Sequence, residues 1–458
     1  MDNKKREKII PKRILTSVLA SVSAGVVPRN GAAYIAIGRD DEIYAILEDL
    51  ENVKEGGSGM RFIVGRYGSG KSFLIQLIRN YATERGFVCA DTDLTPERRL
   101  YGTNGSGVAT YRELMKNMSS KMSPEGGAMP KIVAKWISDA KVALLSSGLS
   151  ADTPEFDAAL NAKIFEDLSE VEYMVGGFDF AQVVKLYYKA YCSGDDEKST
   201  AAIRWLRGEF STKTEARAAL GFNVSVIIND ENWYDFIKLW GSLVRKIGYS
   251  GFVVFIDECV NLYKIAHRVS RENNYEKILS MFNDTLSGSA SGIEIIMGGT
   301  PQFLEDTRRG LFSYEALRSR LCDSRFNKIE YKNLLGPVIR LKRLSDEELY
   351  ALISRITELY EMQYGKKDII SDEQKLKFLN ICISKQVGNS MITPREILRD
   401  YLTVLNILVQ NPEVSFDEVI EDTVTLDTED ETDEISTASV ETVKADDTPI
   451  RGLAAFEF

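Results

Sequence analysis

Residues 65–72 read GRYGSGKS and fit the pattern G-x-x-x-x-G-K-[ST] without a mismatch. The apolar run FIV before them favours a buried strand, and FLIQLIRNYATERG after them has apolar residues at helical spacing. Between a strand and a helix, such a loop holds a polyphosphate through backbone N–H groups and the helix N-terminus. The pattern therefore predicts a phosphate loop, and a plain glycine turn is the alternative.

The residues of this loop have separate expected roles. Lys71 is expected to reach the β- and γ-phosphates of ATP, and Ser72 to hold Mg²⁺. The predicted nucleotide contact is one continuous segment: Gly65, Arg66, Tyr67, Gly68, Ser69, Gly70, Lys71, Ser72 and Phe73.

A second apolar run, FVVFI at residues 252–256, is followed directly by Asp257 and Glu258. In a parallel sheet the carboxyl ends of strands share one edge, which would bring these acids to the phosphate loop. Asp257 is then expected to hold Mg²⁺, and Glu258 to act as the general base that polarises the attacking water. Two solvated acids at a strand end are the alternative.

Four further residues extend the predicted ATPase site. Thr300 follows the apolar run at 293–297 and two glycines, and its hydroxyl either orients the water or contacts the γ-phosphate. The alternative is a helix N-cap before Pro301. Arg320, or else Arg318, is expected to serve as an arginine finger for a neighbouring subunit, and a basic helix face is the alternative. Arg395 is expected to reach back to the phosphates, unless it is a surface arginine.

The amino-acid composition limits the classes of protein to which the chain can belong. The chain has 458 residues, 44% of them hydrophobic, and no apolar run approaches the roughly 20 residues that span a bilayer. Five scattered cysteines and a single histidine, His267, argue against disulfide frameworks and zinc sites. These features predict a cytoplasmic protein without a membrane contact.

The net charge of −11 is unevenly distributed. Residues 413–447 hold fourteen acidic residues and one lysine, a net of −13, so the rest of the chain carries +2. The folded body is therefore compatible with DNA as a partner, although +2 does not argue strongly for it. The acidic segment is too poor in apolar residues to order itself, and an apolar decapeptide follows it at 449–458.

Alternating strand and helix patterns predict an α/β fold with a parallel sheet, interrupted by a long helical insertion. A short additional strand is expected around 328–331. The predicted boundaries divide the chain into five parts: 1–94, the first part of the ATPase core; 95–250, the insertion; 251–344, the second part of the core; 345–411, a helical lid; and 412–458, the acidic tail with its apolar peptide. The aromatic residues of the insertion are expected to form core.

The order of these motifs resembles the AAA+ ATPases, and especially their initiator-like branch with a lid. The resemblance implies a three-layer P-loop NTPase core with a C-terminal helical lid, and it places Gly38 and Arg39 near the adenine. The segments RWLRGE, IGYSGFVVFIDECVNLY and TPREILRDYL resemble the ATP-binding proteins of BREX-type phage-resistance systems, the BrxD group. That likeness runs from about residue 10 to 410 and implies a partner helicase and other defence proteins. The acidic tail has no counterpart in it.

The leading hypothesis is a Mg-ATP-hydrolysing ATPase that works as a homo-oligomeric switch or remodeller in antiphage defence. One alternative is a slow ATP-binding sensor or scaffold that signals through oligomerisation. Another is a transposition-type DNA target selector. Steady-state turnover with and without DNA separates the first two hypotheses, and filament formation on DNA would support the third.

Overall fold

The computed structural model of the chain describes residues 10–102, 104–151, 153–323, 333–384 and 393–420. Its strands are five in these ranges: β1 Gly59–Val64, β2 Val88–Asp93, β3 Phe252–Asp257, β4 Ile293–Gly299 and β5 Val338–Arg340. The helices of the first half are α1 Lys12–Ser23, α2 Asp40–Lys54, α3 Lys71–Glu84, α4 Ser106–Lys116, α5 Met129–Ser146, α6 Pro154–Glu172, α7 Gly177–Ser193, α8 Asp196–Leu206, α9 Lys213–Leu220 and α10 Trp233–Lys246. Those of the second half are α11 Val260–Tyr263, α12 Arg268–Ser287, α13 Pro301–Glu305, α14 Glu315–Leu321, α15 Asp346–Tyr364, α16 Asp372–Ser384 and α17 Pro394–Gln410.

The strands form one parallel sheet in the order β2-β3-β4-β1-β5. The predicted parallel sheet is therefore confirmed. Its register brings Asp93 opposite Asp257 and Val64 opposite Gly299, so the ends of β1, β2, β3 and β4 meet at one edge. β3 is buried along its whole length, which explains why its sequence is a continuous apolar run.

Helices cover both faces of the sheet. On one face, every second residue of the strands packs against α2 and α3. Ile63, Val253 and Phe255 of the strands share an apolar cluster there with Leu50 of α2 and Leu77 of α3. The opposite strand residues share a larger core with the helices between β2 and β3. The expectation that the aromatic residues of this insertion form core holds for its four tryptophans, all buried: Trp136, Trp205, Trp233 and Trp240.

A separate apolar cluster joins α15, α16 and α17. The N-terminal helix α1 belongs to the same cluster, because Leu15, Val18, Leu19 and Val22 are buried against these helices. We predicted from the sequence that residues 1–94, which include α1, belong to the first part of the ATPase core. In the structure the apolar face of α1 packs on the C-terminal helices.

Two of these C-terminal helices have strong start signals. The side chain of Ser345 accepts a hydrogen bond from the backbone N–H of Glu348, and the Glu348 carboxylate accepts one from the backbone N–H of Ser345. Thr393 and Glu396 form the same reciprocal pair at α17. The cap at Thr393 determines where α17 begins, and so positions the two residues that follow it.

Some expectations fall outside the described residues. These are the strand expected at 328–331 and the larger part of the predicted tail, from residue 421 onward. Residues 412–420, which were also assigned to the disordered tail, are described, and Phe416 and Ile420 are buried in the cluster of the C-terminal helices. Among the helices of the described ranges, none combines the length and apolarity needed to cross a membrane.

Candidate functional site

The phosphate loop connects the end of β1 at Val64 to α3, which begins at Lys71. Gly68 and Gly70 both have left-handed backbone conformations, with φ of 74° and 89°. A Cβ atom on Gly68 would lie 2.2 Å from Cγ2 of Thr393, so the loop closely approaches the start of α17. A side chain at Gly68 is therefore excluded by both conformation and space.

Lys71 lies at the mouth of this loop. Its ammonium donates hydrogen bonds to the carbonyl oxygens of Gly65 and Arg66, each at 3.1 Å. Burial lowers the pKa of Lys71, while the nearby charges of Asp257 and Glu258 act in the opposite direction. The arrangement places a partly desolvated cation where anionic phosphates would bind.

Ser69 supplies an unused donor in the same loop. Its hydroxyl is buried, and Oγ has no hydrogen-bond partner in the described part of the chain. Buried polar atoms are nearly always paired, so an orphaned hydroxyl in a glycine loop indicates a missing acceptor. A phosphate oxygen is the acceptor that this loop chemistry favours.

Ser72 and Asp257 are in direct contact. The Ser72 hydroxyl donates a 2.8 Å hydrogen bond to Oδ2 of Asp257, across two elements that are far apart in the chain. Asp257 is buried at the end of β3, and a Cβ atom on Gly298 would lie only 2.2 Å from its Oδ1. Gly298 on β4 therefore leaves the space that the carboxylate occupies.

This pair fits a magnesium ion. Mg²⁺ prefers oxygen ligands, and usually takes one or two protein groups together with substrate phosphates and water. Ser72 and Asp257 provide such a pair beside the phosphate loop. The described residues contain no cluster of three or more histidine, cysteine or acidic side chains that would hold a metal ion by itself.

Glu258 has an unusual backbone conformation. Its φ is +56°, a value that costs a non-glycine residue about 1–3 kcal/mol. Its N–H donates to Oδ1 of Asp257 at 2.8 Å, and its side chain lines the same cleft as Lys71 and Ser72. Strained residues persist where the surrounding structure holds them, and they cluster at functional sites.

The cleft encloses about 240 Å³ and has two chemically different ends. One end is polar and consists of phosphate-loop residues with Glu258. The other end is apolar and is lined by residues from the α1–Pro28 segment, the segment before α2, the segment before α15, and the C-terminal helices: Val22, Val26, Val27, Pro28, Ile35, Ile37, Leu344, Leu352 and Leu398. Such a cleft suits a ligand with a flat apolar part and an anionic tail.

Arg39 lies between the two ends. Its guanidinium is buried and donates to the carbonyl oxygens of Ser69 at 3.0 Å and Lys342 at 2.8 Å, and it contacts Glu42 at 3.4 Å. It therefore ties the phosphate loop to the segment that leads into α15. Gly38 does not line the cleft; it packs against the side chain of Glu348 instead.

Arg395 and Phe73 both line the cleft. Arg395 is the second residue of α17, and its side chain contacts the cleft lining beside Gly25 while remaining exposed. Phe73 lies in the first turn of α3. Arg395 is thus both at the cleft and exposed, which fits a contact with the phosphates as well as a surface arginine.

The remaining sequence-based candidates lie elsewhere. Thr300 follows β4 and caps α13, accepting a hydrogen bond from Phe303 N at 3.3 Å. Arg320 donates to Oδ1 of Asn283 at 3.1 Å and to the carbonyl of Ala316, and Arg318 is exposed on the same short helix. Neither arginine lines the cleft of its own chain.

Sequence reasoning did not assign Asp93 to the site. The register of β2 and β3 places it beside Asp257, and the N–H of the next residue, Leu94, donates to the Asp257 carbonyl at 3.0 Å. Partial burial, together with the negative charges of Asp257 and Glu258, raises the pKa of Asp93 to about 6. The only signal in the sequence was the acidic end of the second strand.

The apolar end of the cleft was also missed. Val22, Val26 and Pro28 come from a segment that carries no motif, and only the packing of α1 on the C-terminal helices brings it to the phosphate loop. No local pattern could have assigned these residues to a binding site.

An α/β fold with a five-stranded parallel sheet, and a glycine loop between β1 and α3, has the architecture of the P-loop NTPases. The family model described as "BREX system ATP-binding protein BrxC/D" matches residues 10–424, and the chain belongs to this family. ATP binding and a role in BREX defence follow from that membership. No curated protein matches the chain.

Proposed function

We propose that the chain is an AAA+ type ATPase that hydrolyses Mg-ATP and acts as a switch or remodeller within BREX defence. One observation carries the proposal: the 2.8 Å contact between Ser72 and Asp257 joins the phosphate loop to the acidic strand end, with Glu258 on the same cleft. A protein that only bound ATP would need the loop but not an acid at the position of Glu258.

Each residue has a defined part in this mechanism. The phosphate loop and Lys71 bind the β- and γ-phosphates, and the orphaned hydroxyl of Ser69 adds a donor. Glu258 accepts a proton from the attacking water as the water oxygen bonds to the γ-phosphorus, while the bond from that phosphorus to the bridging oxygen breaks and ADP leaves. Ser72 and Asp257 would hold Mg²⁺, which when bound neutralises charge on the phosphates and orients them.

The adenine would occupy the apolar end of the cleft. That end lies between the N-terminal segment at Val26 and Pro28 and the C-terminal helices at Leu352 and Leu398. We infer that α15, α16 and α17 act as a lid, with α1 attached to it through their shared core. Arg395 would then contact the γ-phosphate and couple its presence to the position of this lid, because Arg395 lies in the first turn of α17 at the rim of the cleft.

The position of the arginines favours an oligomer. Arg318 and Arg320 do not line their own cleft, and both are exposed on α14. A finger supplied by a neighbouring copy would complete each site and make hydrolysis depend on assembly. The same observation supports the second candidate, a sensor or scaffold that binds ATP, hydrolyses it slowly, and signals by assembling.

Steady-state phosphate release separates the two candidates. Purified protein is assayed alone, with duplex DNA, with the partner helicase, and with a metal chelator, using Lys71→Ala as the inactive control. Repeated turnover that the chelator abolishes supports the ATPase. ATP binding without repeated turnover under every one of these conditions would favour the sensor.

A further inference from the structure

Two loops at the carboxyl edge of the sheet concentrate positive charge. One follows α11 and leads into α12, and the other follows α13. Both short helices start beside candidate ATP-site residues, since α11 follows Glu258 and α13 follows Thr300. Five cations lie on these loops and on the first turn of α12, and they are named the basic patch: Lys264, Arg268, Arg271, Arg308 and Arg309.

Several contacts hold the two loops together. The hydroxyl of Tyr263 donates to Oδ2 of Asp306 at 3.0 Å. The guanidinium of Arg309 donates to the carbonyl oxygens of Tyr263 at 3.2 Å and Ile265 at 3.3 Å, and it lies 5.3 Å from the centre of the Tyr263 ring. The cations of the two loops therefore form one surface.

Arg271 is the most unusual member of the basic patch. Its side chain is nearly fully buried and donates to the Ile265 carbonyl at 2.8 Å, which is the oxygen that Arg309 also contacts. Among the described residues neither guanidinium forms an ion pair, and the Nε atoms of both lack hydrogen-bond partners. Two adjacent guanidiniums without a carboxylate favour an external anion.

Nearby carboxylates do not neutralise this charge. Asp306 accepts hydrogen bonds from Tyr263 and from the backbone, and Glu272 pairs with Arg268 at 2.7 Å. Five cations against these two acids leave a net charge of +3. Lys264 and Arg308 are exposed, and the described part of the chain contains no ion pair for either of them.

We propose that the basic patch binds the phosphate backbone of nucleic acid. Its exposed cations, Lys264, Arg268 and Arg308, are spread over the two loops and the first turn of α12, which suits a row of phosphates better than a single small anion. Four of the five are arginines, whose planar guanidinium matches phosphate oxygens. Exposed His267 and Thr307 lie between them and can donate to the same backbone.

This contact would act on ATP hydrolysis through α11 and α13, because these helices connect the basic patch to Glu258 and Thr300. That coupling rests on the proposed function, whereas binding itself does not. Bound nucleic acid would shift the loops against the ends of β3 and β4, and would thereby change how the general base Glu258 is held.

The test compares two charge reversals in the full-length protein. Lys264→Glu/Arg308→Glu removes both unpaired exposed cations of the basic patch. Lys213→Glu/Arg217→Glu on α9 is the matched control, because it also changes one exposed lysine and one exposed arginine for which the described residues provide no ion pair. Binding of a fluorescein-labelled DNA duplex is measured by anisotropy over a series of salt concentrations with ADP present, and nucleotide binding is measured separately to verify folding.

We expect the reversal in the basic patch to weaken duplex binding at least about tenfold at low salt, and to reduce the slope of log affinity against log salt by about two. The control reversal should keep affinity within about twofold of wild type. Equal losses in both variants, or no duplex binding by wild type, would overturn the proposal. Binding of a peptide of residues 413–447 in place of the duplex would also overturn it, and would identify an acidic protein segment as the occupant.

The two proposals fail in different ways. If wild type binds duplex through the basic patch but releases no phosphate from ATP, the proposed ATPase function fails and the inferred surface stands. If ATP turnover is normal but the basic patch reversal binds duplex like wild type, the inferred surface fails and the ATPase stands.

Discussion

Replacing Lys71 with alanine tests how the phosphate loop holds a nucleotide. In the free protein the Lys71 ammonium already donates to the carbonyl oxygens of Gly65 and Arg66, each at 3.1 Å. When ATP binds, the ammonium exchanges these two neutral acceptors for charged phosphate oxygens. The substitution therefore removes the difference between the two sets of contacts, rather than the whole phosphate interaction.

The expected magnitude follows from this exchange. Hydrogen bonds to charged groups contribute about 1.5–3 kcal/mol, and the contacts given up in the loop reduce the net gain to the lower part of that range. A loss of about 1.5–2 kcal/mol corresponds to a dissociation constant for ATP about 10–30 times larger. Because burial lowers the pKa of Lys71, the effect should be greatest at pH values where the ammonium stays charged.

Calorimetric titration with Mg-ATP measures this directly. Both proteins carry Glu258→Gln, so that hydrolysis does not disturb the titration. Lys213→Ala on α9 is the control, since Lys213 is an exposed lysine on a helix of the insertion and should bind ATP normally. An unchanged dissociation constant for Lys71→Ala would refute the assignment of the loop.

Three other outcomes are expected. Asp93→Asn should raise the thermal midpoint near pH 7.5 by an amount equivalent to about 1 kcal/mol after allowance for solvent exposure. Burial and the charges of Asp257 and Glu258 raise the pKa of Asp93 to about 6, so its charge destabilises the fold only above the unfolded pKa of about 4. The gain in stability should therefore vanish by about pH 4, and a gain that is constant with pH would contradict a raised pKa. Burial without a hydrogen-bond partner also raises the pKa of Glu294, so the wild-type protein should lose stability as the pH rises above about 4.5. Glu294→Gln should lessen this loss, as measured by urea unfolding at several pH values. Identical pH profiles of the two proteins would contradict a neutral buried acid. Subunit-exchanged mixtures of Arg320→Ala with Glu258→Gln should regain phosphate release if the finger acts in trans, and absence of rescue in verified oligomers would contradict it.

The sequence was most informative where a local pattern determines the chemistry. The glycine pattern at 65–72 predicted a strand, loop and helix, and the structure has β1, the loop and α3 there. The apolar run before Asp257 predicted a buried strand, and parallel pairing then brings its end to the phosphate loop. Both predictions depend on short segments and on a general property of parallel sheets.

Other parts of the site depend on contacts between distant segments. Packing of α1 on α15 and α17 brings Val26 and Pro28 to the cleft, and nothing in the sequence of this segment indicates it. The proximity of Asp93 to Asp257 required the order of β2 and β3 in the sheet. The role of Arg320 depends on a neighbouring copy, so it stays a prediction.

Phosphate release by Glu258→Gln is the most direct test of the central claim. Glutamine keeps the shape of the side chain and leaves Ser72 and Asp257 in place, so ATP binding should remain close to that of wild type. Hydrolysis should fall by about 100-fold or more, because the water loses its proton acceptor. Turnover within a few-fold of wild type, with ATP bound equally well, would contradict Glu258 as the base and with it the proposed mechanism.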